Sequence, residues 1–116
     1  MSKIIALEPN GANGLEPCRV VPAESLLGPA PTEQGAVLFS EGLQTCGIWE
    51  ASPYAERMDN YPFNEMAHIL SGRVAITPDE GSTRIFRPGD TYFMQKGFNG
   101  RFEVMETCRK YYFTVE

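Results

Sequence analysis

Glu65 and His68 stand three residues apart in the stretch DNYPFNEMAHILSG, residues 59 to 72, and His68 is the only histidine of the chain. A carboxylate and an imidazole so close suggest two metal ligands or a catalytic acid and base. Whether they can meet depends on the backbone between them. On a helix, positions three apart look the same way; on a strand they point to opposite sides of the sheet. Pro62, Gly72 and the β-branched neighbourhood favour a strand over 64 to 70. Glu65, Ala67 and Ile69 then share one face, and Met66, His68 and Leu70 the other. The two residues are therefore not expected to act as co-ligands, and His68 reads as a hydrogen-bonded packing or interface histidine.

The elements that must position Glu65 are short and punctuated by 11 glycines and 9 prolines. Strands are expected at Arg19 to Val21, Leu43 to Ala51, Asn64 to Leu70, Arg73 to Thr77, Thr83 to Phe86, Thr91 to Met94, Arg101 to Glu106 and Lys110 to Val115. PAESLLG, 22 to 28, suits one helical turn, opened by proline and closed by glycine. GPAPTEQG at 28 to 35 and SPYAERMDNYP at 52 to 62 read as irregular, and Ser71-Gly72 as a tight connection. Short strands spaced by Gly/Pro turns predict a single all-β domain, a sandwich or a barrel. Residues 1–35 are expected to form an N-terminal arm and first strands, and 36–116 the β-barrel itself.

Length and composition narrow the function classes. A chain of 116 residues, 42% hydrophobic and 22% charged, can bury a core as one ordinary globular domain. The net charge of −5 and pI near 4.9 argue against a nucleic-acid partner, since the longest basic cluster is Arg109-Lys110. No apolar run reaches the roughly 18 residues that cross a bilayer. MSKIIALEPNG has one lysine and an apolar run broken by Glu8, unlike a secretory signal. A cytoplasmic protein is expected, touching neither membrane nor nucleic acid. Three cysteines without C-x-x-C spacing, Cys18, Cys46 and Cys108, suggest free thiols.

The turns and strands also have a recognisable form. Glu65, six intervening residues and Gly72 match the end of the first cupin motif. Gly89, five intervening residues, Gln95 in a proline position and Gly97 match the second. GIWEASP (47 to 53), YPFNEMAHILSGRV (61 to 74), FRPGDTYFMQKGFNGRFEV (86 to 104) and RKYY (109 to 112) resemble the small cupins related to the ureidoglycine aminohydrolase cupin domain. The resemblance implies an RmlC-like conical β-barrel of jelly-roll type, usually dimeric.

It also shows what has changed. The histidines of the first motif would fall at 59 and 61, or at 58 and 60 with the longer spacing; the chain has Asp59 and Tyr61, or Met58 and Asn60. The histidine of the second would be residue 100, here Gly100, which either leaves room in a pocket or permits a turn. With Glu65 alone in register, no metal and no other cofactor is expected. An atypical divalent-metal site through Asp59, Tyr61 and Glu65 is the alternative.

The resemblance places Glu65 in the barrel mouth, as a general acid or base, as an anchor for a small polar ligand, or as a carboxylate merely paired with a lysine or arginine. Lys110, in the Arg-Lys pair, would pair with Glu65, bind a ligand carboxylate, or end its strand in solvent. Tyr61, Trp49, Tyr92, Tyr112, Phe93 and Phe102 are candidates to line a cavity that stacks on a planar ligand, against the alternative of core packing. Tyr61 and Asp59 stand at ligand positions of the motif. The reading is a homodimeric cupin that binds a small polar organic molecule. Its rivals are a hydrolase or isomerase of the ureidoglycine aminohydrolase-like group, with Glu65 and Lys110 catalytic, and a non-catalytic structural or regulatory dimer.

Overall fold

Two long antiparallel strands form the spine of the computed structural model, which describes residues 3–116. In chain order the strands are β1 (Glu16–Pro17), β2 (Glu33–Glu41), β3 (Gln44–Ala51), β4 (Tyr54–Met58), β5 (Asn64–Pro78), β6 (Arg84–Phe86), β7 (Thr91–Met94) and β8 (Gly100–Val115). β5 and β8 pair along nearly their whole length. The far edge of β8 takes β3 along its C-terminal half and β4 along its N-terminal half. In the same way β5 takes β7 near its start and β6 near its end. β2 and then β1 extend the sheet beyond β3. The inward faces meet in one core that includes Ala51, Ile69, Val74, Phe102, Val104 and Cys108. This is the all-β single barrel the sequence predicts. Among the described residues no helix is long and apolar enough to cross a membrane.

Several boundaries differ from expectation, each for a physical reason. Residues 54–58 form a strand, not a loop, paired with Val104 to Gly100. Its inward positions are Tyr54, Glu56 and Met58, so a charge interrupts the apolar alternation that marks a strand. β5 is continuous where two strands and a turn were expected. Gly72, with φ of 78°, lies in a zone of register shifts between Ile69 and Val74, a bulged irregularity and not a hairpin. β8 is likewise one strand through 107–109. β2 crosses the expected boundary at residue 35. Arg19 to Val21 is not a strand, and the helical turn is a 3-10 turn at Ala23–Ser25. Of the three thiols only Cys108 is buried.

The N-terminal arm is held to the outer face of β8. Arg109 Nη1 donates to Pro9 O at 2.9 Å and to Asn10 Oδ1, and the Tyr111 hydroxyl donates to Leu7 O at 2.8 Å. Alternation along β5 sends Met66 and His68 outward and Glu65, Ala67 and Ile69 inward, as the sequence implies. His68 Nδ1 meets Thr91 Oγ1 at 2.9 Å and its ring stacks on Tyr111, so it is a hydrogen-bonded surface histidine.

Candidate functional site

Inward positions on three neighbouring strands converge at one end of the barrel. Along β5 they run Glu65, Ala67, Ile69; along β8, level with these, Thr114, Tyr112, Lys110; and Trp49 of β3 lies across from Lys110. The lysine chain runs back past small Ala67, and Lys110 Nζ donates to Glu65 Oε2 at 2.7 Å and to the Tyr92 hydroxyl at 3.1 Å. Both members of the ion pair are buried, at 8% and 6% side-chain exposure. The ammonium also sits 5.0 Å from the centre of the Trp49 ring, 5.3 Å from Phe102 and 5.6 Å from Tyr92. Three π faces add attraction where water is excluded. Burial by itself would lower the ammonium pKa, but the Glu65 carboxylate and the Tyr92 and Tyr61 oxygens hold it well above the ordinary lysine value. Lys110 is therefore a cation at neutral pH.

Tyr61 closes the other side of Glu65. It follows β4 and is pinned by two backbone bonds, Tyr61 N to Phe98 O at 3.0 Å and Gly97 N to Tyr61 O at 2.7 Å. From there its hydroxyl donates to Glu65 Oε1 at 2.5 Å. Each carboxylate oxygen therefore has a donor. Burial, followed by the nearby Glu65 charge, raises the Tyr61 hydroxyl, and burial pushes Tyr92 up to about 12.

A second buried carboxylate completes the wall. Glu56, 5% exposed, accepts a hydrogen bond at Oε2 from the Tyr54 hydroxyl at 2.8 Å. Burial pushes its pKa up, against the Tyr54 hydrogen bond and the charge of Lys110, which lower it. Trp49 Nε1 donates to Glu33 Oε1 at 2.9 Å. Neither Glu56 nor Tyr54 stands out in the sequence, because their segment reads as a proline-bounded loop. The spacing of Tyr54, Glu56 and Met58 was the available signal, since a strand there places all three on one face.

These groups surround a cavity of about 610 Å3, lined among others by Trp49, Tyr54, Glu56, Glu65, Lys110 and Tyr112. Of the residues singled out in the sequence, Glu65, Lys110, Tyr61, Trp49, Tyr92 and Tyr112 come together here, and Phe102 packs beside them. Phe93 does not; it is 58% exposed on the outer face of β7. Asp59 stays at the mouth, 72% exposed and ion-paired with Arg57 at 2.9 Å, away from the Glu65 carboxylate, which is held by Tyr61 and Lys110.

The metal that the cupin resemblance implies does not fit this donor set. Among the described residues no group of three or more His, Cys, Asp or Glu side chains is arranged to hold a metal ion. Gly100 offers no room for an imidazole either: a Cβ there would lie 2.3 Å from Thr77 O and 2.6 Å from the Phe98 ring. The cation beside Glu65 is the protein's own ammonium.

Comparison with known proteins agrees with this architecture. Residues 39–112 match the family model described as EutQ-like cupin domain. Among solved structures, the chain is similar to a protein of unknown function of the DUF861 family from Pseudomonas syringae, with TM-score 0.85 and 22% identity over 94% of this chain. This chain spans 46% of that protein's length. It is also similar to the Clostridium difficile EutQ protein, with TM-score 0.64 and 21% identity over 84% of this chain and 80% of that one. A DUF861 family protein from Thermotoga maritima is 34% identical over 56% of this chain and 73% of its own, with TM-score 0.52. No curated protein sequence matches.

Proposed function

Because the chain belongs to the EutQ-like cupin domain family, we propose that its barrel binds a small polar organic molecule, with Glu65, Tyr61 and Lys110 as the polar frame of the pocket. The observation that carries this reading is the cavity of about 610 Å3 beside a buried ion pair. Pockets of roughly 300–1,000 Å3, mostly apolar with a few fixed polar groups, are the usual size and make of small-molecule sites. A barrel serving only as a scaffold would be filled by its own side chains. The aromatic walls at Trp49, Tyr54 and Tyr112 suit a flat or compact ligand. A binding role is preferred to Glu65 as a free proton carrier, because both its oxygens already accept hydrogen bonds.

Trp49 is the only tryptophan and stands in the pocket wall. Titration with polar metabolites is expected to change its emission saturably and to raise the melting temperature. A broad panel that moves neither would remove the ligand-binding reading and leave a structural barrel.

We further infer that the protein pairs with a second copy through the outer face. Phe39, Cys46, Phe113, Met66 and Phe93 lie in register across five strands, β2, β3, β8, β5 and β7. Met66 and Phe93 are 51% and 58% exposed, a continuous apolar row of the kind that marks an interface. Sedimentation should give twice the 12.9 kDa chain mass, and Met66→Glu should reduce it to one chain. A wild-type protein that is monomeric at micromolar concentration would contradict this.

A further inference from the structure

The unspent hydrogen-bonding capacity of the pocket points to the charge of its ligand. The charged donors of the wall, and most of the neutral ones, are already committed to the wall itself. Lys110 donates to Glu65 and Tyr92, Tyr61 to Glu65, Tyr54 to Glu56, and Trp49 to Glu33. Arg57, at the mouth, is tied to Asp59 and Asp79. What remains, beside the neutral hydroxyls of Tyr92 and Tyr112, is a carboxylate acceptor. Glu56 is 95% buried by its 5% exposure and lines the cavity, and its carboxylate receives only the Tyr54 hydrogen bond, at Oε2. Among the described residues Oε1 has no protein donor and no buried side-chain polar atom is left unsatisfied, so this oxygen opens onto the cavity.

Charge and surface agree with that count. The charged groups lining the cavity are the carboxylates of Glu24, Glu56, Asp59 and Glu65 against the cations of Lys110 and Arg57. Both cations are paired, and the excess is negative. The wall is rich in aromatic rings, whose faces attract positive charge. An anionic ligand would have to bury itself beside Glu56 with no unpaired cation to meet it, the costly case for a desolvated charge.

We propose that Glu56 is the ligand-anchoring residue of the barrel and that the ligand is a small organic cation with N–H donors, a protonated amine. The ammonium donates to Glu56 Oε1, and the aromatic rings cover its carbon atoms. The Lys110–Glu65 pair is the neutral floor on which the ligand rests. This proposal rests on the reading of the barrel as a ligand pocket and adds the chemical class of its occupant.

The test uses propylammonium and propionate, which match in size and differ in charge, at constant ionic strength. The indole N–H of Trp49 gives a single resolved reporter in the wall. Propylammonium should shift that signal saturably and propionate should leave it in place. Glu56→Gln, which keeps an acceptor for Tyr54, should fold and bind propylammonium at least about tenfold more weakly. Should that variant fail to fold, Glu56→Asp, with the charge kept at shorter reach, should show a severalfold loss. Saturable binding of propionate alone would overturn the cation assignment and keep the ligand pocket. Binding of neither probe would overturn both. Unchanged propylammonium affinity in the folded Glu56 variant would remove Glu56 from the site.

Discussion

Replacement of Lys110 by methionine is expected to destabilise the protein by about 3–5 kcal/mol, because it leaves Glu65 as a buried charge without its partner. For a domain of this size that lowers the melting temperature by roughly 10–20 °C. The methionine keeps much of the lysine volume, so the loss reports the charge and not a cavity. Tyr61 can still donate to Oε1, but Oε2 loses its donor. The double variant Lys110→Met with Glu65→Gln should recover most of the loss, since removing both charges of a buried pair is often close to neutral. The pH dependence follows from the raised folded-state pKa of Lys110. A lysine that binds its proton more tightly when folded contributes fully below its unfolded pKa near 10.4, and loses that contribution as pH rises through the higher folded value. The gap between wild type and Lys110→Met should thus be constant from pH 7 to about pH 10 and shrink above it. Urea unfolding at several pH values measures this; a cost below about 1 kcal/mol at pH 7 would mean the pair is not buried as described.

The second large effect is expected at Gly72→Ala. Gly72 has φ of 78°, and a Cβ there would lie 2.1 Å from Thr107 O and 2.7 Å from Glu106 O, both backbone atoms of β8. The left-handed conformation alone costs about 1–2 kcal/mol for alanine. The overlap with backbone adds roughly 1–3 kcal/mol or more, because β8 cannot move aside without breaking its pairing with β5. A total of about 2–5 kcal/mol is a large share of the roughly 5–15 kcal/mol that holds such a domain folded. Gly89 is the control. It has φ of 94°, yet nothing lies within 4 Å of its absent Cβ. Gly89→Ala should cost only the conformational part, about 1–2 kcal/mol. Equal losses at the two positions in denaturant unfolding would show that crowding against β8 plays no part.

These two glycines also show what the sequence could and could not tell. Gly72 and Gly89 carry much of the motif register, and that register located Glu65 correctly on an inward face. Strand alternation separated Glu65 from His68, and the structure places His68 outside, on Thr91 and Tyr111. The same glycine misled the reading of the backbone, since a positive-φ residue inside a bulged strand looks like a turn until pairing on both sides is known. β4 was hidden for a different reason. Its inward Glu56 breaks the apolar alternation that marks a strand, and such departures from pattern are common where a residue serves a site. The Lys110–Glu65 pairing was one of three alternatives for the lysine. Choosing among them required the register between β5 and β8, which joins residues 45 positions apart. Asp59 shows the limit of transfer by motif position, because its side chain leaves the barrel for Arg57 while its neighbour Tyr61 stays inside.

The barrel is proposed to hold an organic ligand over its own ammonium–carboxylate pair, where the cupin resemblance would place a metal. A crystal structure of the protein purified without chelator or affinity tag, soaked with propylammonium and measured with anomalous data, tests this most directly. Lys110 Nζ should lie within hydrogen-bond distance of Glu65, with no anomalous peak beside that carboxylate and with density for the organic molecule against Glu56 and Trp49. An anomalous peak coordinated by Glu65 with Lys110 turned away, or a barrel closed by its own side chains, would contradict it.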